Sequence, residues 1–266
     1  MKNQSSVFVT MTTVISLVLG ALALSSMTVA AETVLITGSN RGIGLELARV
    51  YAERGWNVIA TCRTPSQATD LQAIAAKHDN VTIEQLDVTD DEEIAALAKK
   101  YEGKPIDVLL NNAAIPGDRD KQKFGSLDYD LYEKVIKVNV HGPLKIAEAF
   151  IANVEASDQK KIINISSTQG SLSSTVGNRG NSYFYKSSKS ALHMVTRIMS
   201  IEMKDRGITV GLVSPGWVDT NFGGMPSMPG MITPQESAQS VVAVIDDYNL
   251  DKSGLLLSHK GEVEAW

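Results

Sequence analysis

The chain has one cysteine, Cys62, in 266 residues. That excludes an internal disulfide and any metal site built from a cysteine cluster, and no metal is expected. The count fits a reducing compartment but does not require one, since many exported proteins also lack disulfides. Basic blocks are absent too, and the net charge is −5, so nothing electrostatic argues for nucleic acid as a partner. Internal repeats and a Pro- or Ser-rich linker are likewise missing. With 43% hydrophobic and 21% charged residues, the chain has the makings of one globular core.

One further absence is local. No charged residue lies between Lys2 and Glu32. Residues 14–24 form an apolar run, and Val29-Ala30-Ala31 is a small-residue cleavage pattern. A cationic start, a short apolar stretch and a small-residue exit are the parts of a secretory signal. Residues 1–31 are therefore expected to be a signal peptide or membrane anchor, with 32–266 as a single domain. The expected location is exported or membrane-tethered, with any membrane contact through 1–31 only. The alternative is a cytoplasmic protein translated from Met27.

From Thr33 onward, short apolar runs alternate with helical patterns. The strands are expected at 33–38, 57–62, 81–87, 106–113, 161–166, 208–215 and 254–258. Helices are expected at 43–54, 66–77, 91–101, 127–154, 183–204 and 234–247. The runs are rich in Val, Ile and Leu without strict alternation, as strands covered on both faces should be. The fold class is thus α/β, a Rossmann-type doubly wound parallel sheet of about seven strands. Asp90 is a plausible helix N-cap, and Gly55 and Gly207 are plausible helix stops. Two loops stand out: 169–181, rich in Gly, Ser and Asn, and 216–233, which carries Met225, Met228 and Met231.

Residues 37–44 read Thr-Gly-Ser-Asn-Arg-Gly-Ile-Gly, between the first strand and first helix. Glycines there let the backbone turn tightly and approach a pyrophosphate facing the helix N-terminus. A plain tight strand–helix connection could have the same composition, and the three residues between the first two glycines differ from the usual dinucleotide fingerprint. Tyr185 and Lys189 stand four apart on an expected helix and so project from one face. Such a pair is commonly surface decoration. Here it follows Ser166-Ser167 at the end of a buried strand, where open α/β sheets bind ligands.

Taken in order, these motifs resemble the short-chain dehydrogenase/reductase family in its compact single-domain branch. The set comprises the turn at 37–44, Asp87, Asn111-Asn112-Ala113-Ala114, Asn139, Ser167, Tyr185, Lys189, and Pro215-Gly216 with Thr220. Ile59-Ala60-Thr61-Cys62-Arg63, the stretch from Ser214 to Thr220, and Trp266 resemble its C-factor-like and carbonyl-reductase-like group. The resemblance implies a catalytic set of Ser167, Tyr185, Lys189 and Asn139. Ser167 would bond the substrate oxygen, Tyr185 would be the acid/base, and Asn139 would keep a water in the proton path. Lys189 would also hold the nicotinamide ribose. Tyrosine has an unperturbed pKa of about 10, and an ammonium about 4 Å away would favour tyrosinate by roughly 4 kcal/mol, or about three pKa units. Tyr183 is set aside because four residues on is Ser187 rather than a cation.

The same resemblance places the cofactor against Gly38, Asn40, Arg41, Gly42, Ile43 and Gly44 of the turn. Beyond it lie Asp87 and Val88, then Asn111, Asn112 and Ala113. Tyr185 and Lys189 follow, then Pro215, Gly216, Val218 and Thr220. Asp87 meets the adenine edge or, alternatively, caps the next helix. Ala114 stands where the family commonly has glycine, which puts the backbone there in question. Relatives using NAD place an acid at the end of the second strand, whereas this chain has Cys62-Arg63 there. Arg41 and Arg63 suit a 2′-phosphate, so NADP (NADPH) is the expected cofactor and NAD the alternative.

These readings lead to an NADPH-dependent oxidoreductase acting on a small-molecule carbonyl, or on the corresponding alcohol. A homo-oligomer, dimer or tetramer, is expected through the two long helices. The rival reading is an exported or tethered signalling or binding protein that keeps the fold without turnover. An epimerase or dehydratase is weaker, because such relatives generally add a substrate domain. The loop 169–181 is expected to shape the substrate entrance and 216–233 to form its lid.

Overall fold

The computed structural model of the protein describes residues 31–175 and 182–266. The leader reading of 1–31 therefore falls, Ala31 apart, outside the described residues, as does much of the 169–181 loop. Seven parallel strands form one sheet in the order β3-β2-β1-β4-β5-β6-β7. They are β1 Thr33–Ile36, β2 Asn57–Cys62, β3 Val81–Gln85, β4 Val108–Asn111, β5 Lys161–Ile165, β6 Thr209–Ser214 and β7 Leu256–Ser258. Every expected strand is present: β2 spans the expected residues, and the other six are shortened at one or both ends to the residues that pair.

The helices are α1 Gly42–Glu53, α2 Thr69–Ala75, α3 Asp91–Lys100, α4 Tyr129–Ile136 and α5 Gly142–Glu155, then α6 Leu172–Thr175, α7 Tyr183–Glu202 and α8 Pro234–Asp246. Successive residues of a strand face opposite sides of the sheet. In β1, Val34 and Ile36 enter a core with Leu47 and Tyr51 of α1 and Val241 of α8. Leu35 enters another with Leu97 of α3 and Phe150 of α5. From Val34 to Ile36 both faces of the strand are thus covered by apolar core, so polar alternation is absent there.

Helix ends follow local chemistry. Asp90 caps α3 by accepting from the amides of Glu92 and Glu93, and Thr233 caps α8 in a reciprocal box with Glu236. Gly55 and Gly207 lie just past α1 and the last turn after α7. The helix expected at 127–154 is interrupted by a π-helical turn, Lys137–His141. The one expected at 66–77 begins as a short 3-10 turn, Pro65–Gln67, before α2. Hydrophobic spacing at 3.6 residues does not register a single wider turn.

Lys161 opens β5 almost fully buried, and its ammonium donates to the carbonyls of Ile245 (2.8 Å) and Asp246 (3.0 Å) at the end of α8. Burial pushes its pKa down, while the Asp246, Glu32 and Asp247 carboxylates oppose that shift. The bonds satisfy carbonyls that a helix C-terminus otherwise leaves open. Lys161→Met is expected to cost about 2 kcal/mol, read as a lower midpoint in urea unfolding with an unchanged slope. An unaltered midpoint would show that the cap contributes nothing.

The chain leaves the sheet at β3 and returns to β4 on the other side of β1. The strand order reverses there, so the ends of β1 and β4 diverge and open a crevice at the carboxyl edge.

Candidate active site

A cleft of about 660 Å³ occupies that edge. Its floor is the turn after β1. Gly38 has φ +70°, and a Cβ there would come within 2.9 Å of Ala113 Cα. A Cβ on Gly44 would collide with the Gly38 carbonyl and the Asn112 amide. These positions require glycine on steric grounds. Asn112 clamps the turn, its amide donating to the carbonyls of Thr37 (3.0 Å) and Gly38 (3.1 Å). The Thr37 hydroxyl accepts from the amides of Asn112 and Ala113. The turn leads into α1, whose N-cap Arg41 makes no side-chain cap and whose first turn holds no acid. The open amides of that turn suit an anion.

All the turn residues expected to hold a cofactor line this cleft: Gly38, Asn40, Arg41, Gly42, Ile43 and Gly44. So do Arg63, Asp87, Val88, Asn112 and Ala113, and on the far side Pro215, Gly216, Val218 and Thr220. Asn111 does not. It is buried and donates to Asn164 Oδ1 at 2.9 Å, because it is the last residue of β4 and its side chain turns into the sheet's cover. Arg41 and Arg63 are both exposed at the cleft rim. Asp87 accepts from the Thr89 amide (2.9 Å) and hydroxyl (2.7 Å), so it shapes the bend before α3 while Asp90 provides the cap. Ala114 is accommodated without left-handed backbone, since Lys160 and Asn221 are the non-glycine residues with positive φ among the described residues.

The opposite wall carries Ser167, Tyr185 and Lys189. Ser167 follows β5, and its Oγ accepts from the Gln169 amide at 3.1 Å. Its hydroxyl also bonds Tyr185. Tyr185 and Lys189 lie one turn apart at the start of α7. Burial pushes the Tyr185 pKa up to about 12, with the Ser167 bond working against it. This is the opposite direction from the expected fall. The Lys189 ammonium donates to the Ile165 carbonyl at 2.9 Å and lies 5.7 Å from the centre of the Tyr185 ring. Burial lowers its own pKa to about 8. Tyr183 is turned away and meets Phe124, with ring centres 6.4 Å apart.

Asn139 sits in the π-helical turn, fully buried and off the cleft wall. Its Oδ1 accepts from the Ile115 amide (2.9 Å), and its Nδ2 donates to the Ile115 carbonyl (2.9 Å) and the Ser188 hydroxyl (3.0 Å). Both amide protons are committed, so a water held by this side chain would have to donate to the second lone pair of its Oδ1. What it does is tie the strand-β4 loop to α7.

Several wall residues were not legible beforehand. Phe222 places its ring edge-on to Tyr185, centres 5.6 Å apart. Ile115, Pro116, Gln169 and Trp217 also line the cleft, as do Met225 and Met231 of the expected lid, whereas Met228 does not. The flanking left-handed residues Asn221 (φ +53°) and Gly223 (φ +70°) aim Phe222 inward. The Asn-Phe-Gly-Gly run was the available signal for such a bend.

The sequence profile of the family described as short chain dehydrogenase matches residues 32–225. The chain is 31% identical over 163 residues to the C-signal of Myxococcus xanthus, covering 61% of this chain and 93% of that protein. It is 30% identical over 244 residues to a 1-hydroxy-2-glutathionyl-2-methyl-3-butene dehydrogenase of a Rhodococcus species, covering 88% of this chain and 100% of that one. Among solved structures it resembles an NADPH-bound carbonyl reductase from chicken fatty liver, with a TM-score of 0.82 and 33% identity over 89% of this chain and 99% of the other.

Proposed function

The chain belongs to the short-chain dehydrogenase family of oxidoreductases, and from that premise we propose that it is an NADPH-dependent reductase of aldehydes or ketones, with the reverse alcohol oxidation available. The observation that carries this reading is the convergence of Ser167, Tyr185 and Lys189 on one cleft with the glycine turn and two arginines.

The residues present fit the cofactor. The close-packed turn at Gly38 and Gly44 leaves no side chain between backbone and ligand, and the start of α1 has amides to offer a pyrophosphate. Gly38, Asn40, Gly42, Ile43 and Gly44 would hold that group, with Arg41 and Arg63 at the 2′-phosphate. Asp87 and Val88 would border the adenine. Asn112, Ala113, Pro215, Gly216, Val218 and Thr220 would flank the rest, with Lys189 at the ribose. When bound, NADPH supplies a hydride to the carbonyl carbon.

The chain's own groups act on the oxygen. Ser167 and Tyr185 donate hydrogen bonds to it, polarising the carbonyl. As the oxygen gains negative charge, the Tyr185 phenol gives up its proton to it, leaving alcohol and phenolate. The Lys189 ammonium stabilises that phenolate. Asn139 keeps the wall in register through Ile115 and Ser188. Phe222, Trp217, Met225 and Met231 give the substrate side an apolar, adaptable surface. A binder without turnover has no use for this serine–tyrosine–lysine set.

The exposed stripe Met194, Ile198 and Ile201 on α7 supports association through the long helices, and light scattering would read it. The reading as a whole is tested by purified residues 32–266 with a panel of aromatic and aliphatic carbonyls. NADPH should be consumed with at least one of them, and NADH should be a much poorer donor. No consumption with any carbonyl would overturn the reductase assignment, and equal rates with NADH would overturn the NADP assignment.

A further inference from the structure

His193 lies one turn beyond Lys189 on the same face of α7, buried at 2% exposure, and the chemistry proposed above does not use it. Its Nε2 is 2.7 Å from the hydroxyl of Ser166, the neighbour of Ser167. Burial, with the Lys189 charge adding to it, lowers its pKa to about 4, so the ring is neutral where the protein works. The turn Thr168–Gly170 that follows Ser167 is pressed onto this histidine. A Cβ at Gly170 would come within 2.7 Å of His193 Cε1 and 2.8 Å of Lys189 Cβ. The Gly170 carbonyl accepts from the Ser190 hydroxyl at 2.7 Å.

The other side of the imidazole meets Trp266, edge to face, with ring centres 5.5 Å apart. Trp266 packs on Leu192, Leu212 and Leu256, beneath α7 and the last two strands. Its main-chain oxygen accepts from the amide (3.1 Å) and hydroxyl (2.5 Å) of Ser173 in α6. The Ser174 hydroxyl closes the loop by donating to the Thr168 carbonyl at 2.6 Å. The segment carrying Ser167 is therefore held at Ser166 by His193, at Gly170 by α7, and at Ser173 by Trp266.

We propose that His193 and Trp266 are a positioning pair that sets Ser167 for contact with the substrate oxygen, without touching substrate or cofactor themselves. The proposal rests on the reductase reading. Its physical basis is that a hydroxyl must be held to a fraction of an ångström to favour the transition state, and misplacement by about 1 Å can cost roughly 100-fold in rate. The β5 strand ends at Ile165, and sheet pairing stops one residue on, where the Ser166 amide donates to the Val213 carbonyl (2.8 Å). Beyond it, these contacts replace the strand's ladder.

The test uses the full-length protein with His193→Phe, His193→Asn, Trp266→Ala and Trp266→Phe. His193→Phe keeps a ring against Trp266 but removes the Ser166 bond. It should lower kcat for carbonyl reduction by about ten-fold or more with NADPH dissociation unchanged. His193→Asn, which keeps a polar partner, should recover part of the loss, and Trp266→Phe should outperform Trp266→Ala. Ser166→Ala combined with His193→Phe should be no worse than the single change, because both remove one bond. Hydrogen exchange of the Gly170, Ser171 and Ser173 amides supplies a readout independent of turnover, and should quicken in His193→Phe and Trp266→Ala. Faster exchange with unchanged kcat would overturn the proposal, as would unchanged exchange. A wild-type protein that reduces no carbonyl would refute the reductase reading instead, and the exchange comparison would still decide whether the pair holds the loop.

Discussion

Tyr185→Phe is expected to lower kcat for carbonyl reduction by roughly 10²–10⁴-fold, the usual contribution of a positioned proton donor, while NADPH binding is kept. The ring stays, so its edge contact with Phe222 and the packing of α7 should survive. Only the acidic proton is removed. The pH dependence follows from the two directions of shift. Burial raises the Tyr185 pKa to about 12, so the phenol is protonated through the neutral range and ready to act as an acid. Lys189, lowered to about 8 by burial, is the group lost first as pH rises. Reduction should therefore fall as pH passes about 8, because the phenolate left by proton transfer loses its counter-charge. Alcohol oxidation needs the phenolate as base and should rise with pH. Stopped-flow rates across pH for wild type and Lys189→Met check this, since the variant should lack the limb near 8. Turnover by Tyr185→Phe close to wild type would end the assignment of the tyrosine.

Removing both arginines, Arg41→Ala with Arg63→Ala, is expected to raise KM for NADPH by about 100-fold while KM for NADH stays nearly constant. Hydrogen bonds to charged groups are each worth about 1.5–3 kcal/mol, and a guanidinium meets a phosphate through two of them. Both side chains are exposed, so solvent screens them and the full sum is not expected. The discounted figure, about 3 kcal/mol for the pair, corresponds to roughly 100-fold. Raising the salt concentration should shrink the difference. An equal rise in KM for both cofactors would mean that the arginines serve the pyrophosphate or the turn rather than the 2′-phosphate.

Much of this site was legible because its parts are local. Glycines at 38, 42 and 44 announce a turn that tolerates no side chain, and spacing alone puts Tyr185 and Lys189 on one face of a helix. Asp90 was visible as a cap from its place before an acidic first turn. Asn111 and Asn112 show where such reading stops. They are adjacent, yet one is absorbed into the sheet's buried polar contacts while the other clamps the glycine turn, and only the end of β4 separates them. Asn139 likewise has a recognisable position but a partner, Ile115, that lies 24 residues away.

The sequence by itself determined the doubly wound sheet, the order of its motifs, the glycine turn and the tyrosine–lysine pair, because each depends on periodicity or on neighbours a few residues apart. Tertiary structure alone decided which walls close around them. It brought Phe222 to Tyr185 through a left-handed bend, and Trp266 to Ser173 across 93 residues. It also reversed the expected direction of the Tyr185 shift, by burying the phenol. Those outcomes depend on loop paths and on desolvation, which arise only when distant segments pack and exclude water.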